Sequence, residues 1–263
     1  MLEKEKGQND VLTVSAIGSL AMISTLLFHE GLGHSGVAAI LGGHSVLYPV
    51  SSVGQSNVPL SHWRVAVAAG PLANFIIGGA LWLVLGCAHR LPIHFRYFLW
   101  LTTAFNLLNA AGYPCADVIM NFGDWGRLLR VANLSWLSRV GLSLLAAVLY
   151  YGFMLAVAYR GSGFLGTVQG RFLTLTPYLA AGIVVCSAAA MAPFGMRYVC
   201  IAAGSSLGTC FGLLPIHDWN RFSNKGSIAV PITRNLAWII GSLIMTIFFI
   251  AIIGRGLRLW RYA

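Results

Sequence analysis

The strongest limit on what this chain can fold into is how little of it can face water. Seven stretches, 11–28, 65–88, 97–113, 138–159, 173–193, 197–214 and 234–254, are apolar over most of their length. A helix needs roughly 20 apolar residues to cross a hydrocarbon core. Only 9% of the residues are charged and 57% are hydrophobic, whereas a soluble domain carries about a quarter charged residues. The pattern predicts an all-α polytopic membrane protein with about six to seven transmembrane segments. The third and sixth segments are short or interrupted by polar residues, and are expected to bend or re-enter. No intervening stretch is long enough for a second domain, so residues 1–263 read as a single integral membrane domain. The expected location is a cell membrane of bacterial type, with the lipid bilayer as an obligatory partner.

The net charge of +10 is spread in ones and twos between apolar runs, as in short membrane loops, and divides too evenly to set an orientation. The tail "GRGLRLWRYA" is denser, with Arg255, Arg258 and Arg261 beside Trp260 and Tyr262, and suits an anionic membrane surface. Nothing resembles a nucleic-acid module, so no nucleic-acid partner is expected. The five cysteines contain no C-x-x-C pair and read as packing residues rather than a disulfide framework. The apolar run after the charged N-terminus lacks a cleavage signature and is read as retained. Residues 42–63, "GGHSVLYPVSSVGQSNVPLSHW", contain no Asp, Glu, Lys or Arg. Their mixture of Val, Tyr and Leu with Gly, Pro, Ser and Asn predicts a short irregular or β-like segment after the first helix.

Of the seven acidic residues, Glu3, Glu5 and Asp10 lie at the N-terminus, and Glu30, Asp117, Asp124 and Asp218 at or near the ends of apolar runs. A carboxylate at membrane depth is expensive and marks function by default. Glu30 sits in "LFHEGLGHSGVAAILGG", one residue longer than the H-E-x-x-H of zinc proteases. Zinc takes imidazole nitrogen and carboxylate oxygen and keeps a position open in catalytic sites. It lowers the pKa of water toward about 7, and a neighbouring carboxylate serves as base and proton carrier. The set would be His29 and His34 as ligands, Glu30 as base, and a third ligand from elsewhere.

Spacing is the difficulty. In a regular α-helix, residues five apart point about 140° away from each other. A π-bulge would absorb the extra residue, aided by the permissive backbones of Gly31 and Gly33. Alternatively the helix breaks at those glycines and His34 opens the next one. A third account is a helix end with interfacial histidines and small packing residues. His44 and His62 read as ordinary lone histidines.

Two later stretches add weight: "AAGPLANFIIGG" (68–79) and "FNLLNAAGYPCADVIMNFGDWGRLL" (105–129). In order and separation, the three elements resemble the site-2 protease family of intramembrane zinc metalloproteases. That family carries a His-Glu motif, then Gly-Pro-x-x-Asn, then an Asn-rich segment ending in an Asp-Gly motif. The resemblance covers residues 20–130, a metalloprotease core that 131–263 would complete with further transmembrane helices. It implies a Zn2+ cofactor held by His29, His34 and Asp124, with Glu30 catalytic. Asn74 and Asn106 would stand near the substrate or behind the ligands. The departures are the added residue and Trp125 where glycine is usual. By its residues alone, Gly70-Pro71 is a packing kink whose freed carbonyl Asn74 can bind. Asp117 competes with Asp124 as ligand and could equally cap a helix; Gly123 and Gly126, which let backbone approach an ion, favour Asp124.

The implied activity is hydrolysis of peptide bonds in transmembrane or membrane-proximal protein segments, with residues 44–62 holding the unwound substrate by edge pairing. A different class is a non-catalytic relative that binds a metal or membrane partner, for which a buried base has no use. Another is a di-iron histidine-box oxidoreductase; His89 and His94 repeat the spacing of His29 and His34, but Pro92 lies between them and there is no His-His doublet. His217 and Asp218 form a further polar island, read as a pair behind the ligands, a further ligand set, or a loop cap with Arg221.

Overall fold

The structure, a computed structural model, describes residues 8–54, 59–165, 169–219 and 230–259. Glu3, Glu5, Arg221, Trp260, Arg261 and Tyr262, named above from the sequence, lie outside them. Among the described residues, six helices are long and apolar enough to cross a membrane: Val11–Ile40, Leu60–Arg90, Trp136–Gly163, Gly170–Ala190, Met196–Asp218 and Leu236–Ile253.

The first begins as α1 (Val11–Leu26), capped by Asp10, whose Oδ1 accepts the Thr13 N–H at 2.9 Å and the Thr13 hydroxyl at 2.7 Å. Those two hydrogen bonds hold the Asp10 carboxyl below its ordinary pKa. α1 is apolar all round because it is enclosed, packing on α7 (Gly170–Ala190), α10 (Leu236–Phe248) and α4 (Ile93–Met120).

α4 corrects the expectation of a short or re-entrant third segment: it is an uninterrupted helix of 28 residues that continues through Pro114. It falls outside the six apolar helices for a physical reason. α1, α3 (Leu60–Cys87) and α6 (Trp136–Leu165) pack around it, so its polar side chains face protein. Thr102, Thr103 and Asn106 return hydrogen bonds to the carbonyls of Phe98, Leu99 and Thr102 on their own helix. Its aromatic tips are also satisfied, with Tyr97 donating to Leu173 O at 2.6 Å and Trp100 to Val157 O at 2.9 Å.

The sixth apolar segment is interrupted, as its polar residues predict: α8 (Met196–Ala203) passes into a π turn (Gly204–Gly208), a 3₁₀ turn (Phe211–Leu213) and α9 (Ile216–Trp219). The β-like segment is a hairpin, β1 (Ser45–Tyr48) and β2 (Ser51–Gly54), joined by Pro49 and Val50. β3 (Leu257–Leu259), from the basic tail, pairs antiparallel with the other side of β1, so the sheet order is β2-β1-β3. All five cysteines are free.

Close packing of α1 on α7 depends on Gly18. A Cβ there would meet the Pro177 Cα at 2.5 Å, whereas one on Gly79 of α3 would meet nothing within 4 Å. Gly18→Ala is therefore expected to destabilise the fold by about 1–3 kcal/mol, and Gly79→Ala to leave it unchanged or slightly more stable. Thermal unfolding of the two variants in detergent checks this, with a lower Tm expected for Gly18→Ala alone.

Candidate metal centre

α1 does not break at the glycines. It runs on as a ten-residue π segment, Leu27–Gly36, longer than a single bulge, and ends in the short α2 (Val37–Ile40). Hydrogen bonding from i to i+5 lays residues five apart over one another. The added residue is thereby absorbed, and the Nε2 atoms of His29 and His34 stand 3.2 Å apart. Gly33 has a second role. A Cβ on it would lie 2.6 Å from the Cα of Gly70 and 2.8 Å from the carbonyl oxygen of Ala69, so α3 crosses the π segment in backbone contact.

The third group arrives from α5 (Gly123–Val131), the short helix after α4. Asp124 Oδ2 lies 3.2 Å from His29 Nε2 and 3.1 Å from His34 Nε2. The three atoms form a nearly equilateral triangle. Around a tetrahedral ion with bonds of about 2.0 Å, ligand atoms stand about 3.3 Å apart. His34 Nδ1 donates to Ala66 O at 2.8 Å, which leaves the Nε2 lone pair of the neutral ring pointing inward. His29 Nδ1 faces the Asn74 amide at 3.0 Å. With that amide turned so that its oxygen accepts the Nδ1 proton, the second Nε2 lone pair also points inward. Outer hydrogen bonds of this kind fix the tautomer of metal-bound histidines. Three converging lone pairs need a cation between them, either a shared proton or a metal ion. His29, His34 and Asp124 are the one such group of histidine, cysteine and acidic side chains found among the described residues. Burial raises the Asp124 carboxyl, but the imidazoles of His34 and His29 outweigh it and hold it well below the usual carboxylate range.

Glu30 is 4% exposed; its Oε1 lies 4.0 Å from His29 Nε2, and its Oε2 has no hydrogen-bond partner. It borders a cavity of about 800 Å³ shared with the triad, with Val50–Ser52 of the hairpin, and with Tyr198 and Ser205 of the interrupted span. Tyr198 OH joins two of these walls, receiving the Val50 N–H at 3.2 Å and meeting Ser51 Oγ at 3.0 Å.

The other expectations fare unevenly. Asn74 turns to His29 rather than to the carbonyl freed by Pro71. Asn106 reaches neither triad nor cavity; its Nδ2 donates to Thr25 Oγ1 at 3.0 Å and to Thr102 O at 2.7 Å, joining α4 to α1. Asp117 borders the cavity but lies outside the triad. His217 bonds Leu214 O at 2.7 Å and approaches Asp218 at 3.3 Å, away from the cavity-lining residues. His94 bonds Thr233 O at 2.8 Å and shares no metal group with His89. His62, read as an ordinary histidine, lines the cavity with a buried, unpartnered Nδ1. Sequence reasoning missed Tyr113, whose ring stacks on His29 with centroids 5.3 Å apart, and Tyr198. Tyr113 carried one signal, its place beside Pro114 in the Asn-rich stretch; Tyr198 carried none. No family model, curated protein or solved structure matches the chain.

Elemental analysis of detergent-purified protein is expected to find about one zinc per chain, lost in His34→Ala and Asp124→Ala. Gly70→Ala supplies a test that leaves every ligand in place. Its Cβ would meet His34 Cε1 at 2.5 Å and His29 Nε2 at 2.9 Å. Displacing the imidazoles is expected to weaken zinc binding by at least about tenfold, measured by competition with a chelator.

Proposed function

We propose that this protein is a multi-pass membrane zinc metalloprotease of site-2 protease type, hydrolysing peptide bonds in transmembrane or membrane-proximal segments. The observation that carries the reading is the triangle of His29, His34 and Asp124 with Glu30 beside it, one of whose carboxylate oxygens has no partner among the described residues. Two imidazole nitrogens, one carboxylate oxygen and an open side toward a cavity match a catalytic rather than a structural zinc site. The membrane setting is supported by the outer faces of the helices, where Ile76, Leu83, Val148, Ile183 and Ile244 are all exposed. So much apolar surface is stable in lipid and costly in water.

Zinc at this site would supply Lewis acidity, polarising the scissile carbonyl and acidifying water. The chain's own groups do the rest. Glu30 takes a proton from the attacking water and hands it to the amide nitrogen as the C–N bond breaks. His34, fixed by Ala66 O, and His29, fixed by Asn74, keep their orientation through the cycle. The carbonyl of a helical segment is occupied in its own hydrogen bonds, so the substrate must unwind before it is cut. Among the described residues β2 is an outer strand of the sheet and borders the cavity, and its outer edge suits an extended peptide.

Glu30→Gln preserves the shape of the side chain and removes the base. With zinc content unchanged, it is expected to lower cleavage of transmembrane peptides in proteoliposomes by about 10²–10⁴-fold. Zinc-loaded wild type that cleaves nothing, together with a Glu30→Gln variant that retains biological function, would point to a non-catalytic binder.

A further inference from the structure

We propose that Asp117 is a positioning residue, the template around which the chain between α4 and α5 is wound so that Asp124 meets the two imidazoles. This rests on the reading of His29, His34 and Asp124 as a metal site. Sequence reasoning left Asp117 between two roles, ligand and helix cap; the geometry assigns it a third, which acts through Asp124.

Asp117 is 7% exposed on the last turn of α4, and the chain from there to Gly126 wraps around it. α4 ends at Asn121 in the left-handed conformation (φ 54°), with its N–H directed to the Asp117 main-chain oxygen. The Phe122 N–H reaches the same oxygen at 3.2 Å. Gly123 follows at φ +64°, lying directly over the side chain; a Cβ there would stand 2.5 Å from Asp117 Cγ. The backbone N–H groups of Asp124 and Trp125 then face the Asp117 carboxyl, whose Oδ2 has no hydrogen-bond partner among the described residues. Gly126 closes the wrap, since a Cβ on it would meet the Asp117 main-chain oxygen at 2.8 Å.

These contacts solve a local problem. The first N–H groups of α5 have no partner within the helix, and Phe122, the residue at its cap position, makes no side-chain cap bond. The Asp117 carboxyl, five residues before Phe122, stands at that end of α5 in place of a cap side chain. The outer side of the turn is held separately: Arg139 donates to Asn121 Oδ1, and Arg130 Nη2 to Asn121 O at 2.6 Å. Asp124 thus stands on a turn gripped from inside by Asp117 and from outside by two arginines. A ligand must be held to within about 0.5 Å to serve a metal, and a nine-residue helix reached through two linking residues has little rigidity of its own.

The test is a cobalt(II) titration of the purified full chain, read by visible absorption and by affinity, and independent of any cleavage assay. Asp117→Ala leaves all three ligands in place and is expected to weaken metal binding about 10–100-fold, with the cobalt bands altered toward those of Asp124→Ala. Asp117→Asn keeps an acceptor oxygen at the same position and is expected to recover most of the affinity and the wild-type bands. Gly123→Ala, which drives a methyl group into the carboxyl while leaving Asp117 and Asp124 unchanged, is expected to weaken binding like Asp117→Ala. It also serves as the readout should the alanine variant fail to accumulate. Wild-type affinity and bands in Asp117→Ala or Gly123→Ala would overturn the inference. So would an Asp117→Asn variant as impaired as Asp124→Ala, since that would make Asp117 a ligand. Wild type that binds no cobalt or zinc would overturn the metal reading itself, a result these variants cannot mimic.

Discussion

Backbone contact between the π segment and α3, at Gly33 and Gly70, is the constraint on which the rest of the site depends. With a side chain at either position the two helices would stand farther apart, and the imidazole of His34 could not reach the carbonyl of Ala66. The same approach sets Asn74, one turn beyond Gly70, against His29. One close crossing therefore orients both histidine rings, each by the nitrogen that faces away from the centre. The i to i+5 turn of the π segment brings the rings to one side, and the crossing determines where on that side they point.

A cluster of two imidazoles and two carboxylates is costly to bury, and buried charges persist only when paired and hydrogen-bonded. Here the pairing is mutual: Asp124 stands against both rings, and each ring uses its other nitrogen on α3. Glu30 remains outside this balance, with one oxygen unpartnered in a cavity wall. Tolerating it requires either solvent or substrate in the cavity, which is why an otherwise unfavourable residue at this depth reads as chemistry. The same polarity runs up α4, where the Asn106 Nδ2 and the threonine hydroxyls bond locally and to α1 while Asn106 Oδ1 has no partner among the described residues. The most polar of the long helices is thus the one most enclosed by protein.

Around the centre, the cavity walls come from distant parts of the chain. The β1–β2 hairpin forms one side and is held at its turn by Tyr198, from a span that begins almost 150 residues later. Ser35 Oγ and Ser52 Oγ, 2.9 Å apart, fasten the hairpin to the end of the π segment. The basic tail contributes β3 to the same sheet. The cavity is therefore walled by both the N-terminal core and the later helices, so the second half of the chain is part of its enclosure.

Much of this was legible in the sequence, because the governing physics is local. Apolar runs longer than a bilayer is thick, a strand-like stretch without charge, and an isolated acid between histidines can each be read from a few neighbouring letters. Gly31 and Gly33 made a π turn one of two local remedies for the added residue, but choosing it over a break required the contact of Gly33 with Gly70, on another helix. Asn74 could be foreseen as a polar group near the site; its bond to His29 rather than to a carbonyl on its own helix could not. Asn106 stood as a candidate beside Asn74, and Asp117 as a rival that the glycines made less favoured than Asp124, since sequence records residue type and order but not the direction of a side chain. The sequence by itself determined a helical, lipid-compatible chain carrying histidines and acids of the types that could hold a metal. Tertiary structure alone decided which of them converge, because convergence depends on helix crossings and on a turn wound around Asp117, both set by contacts between residues far apart in the chain.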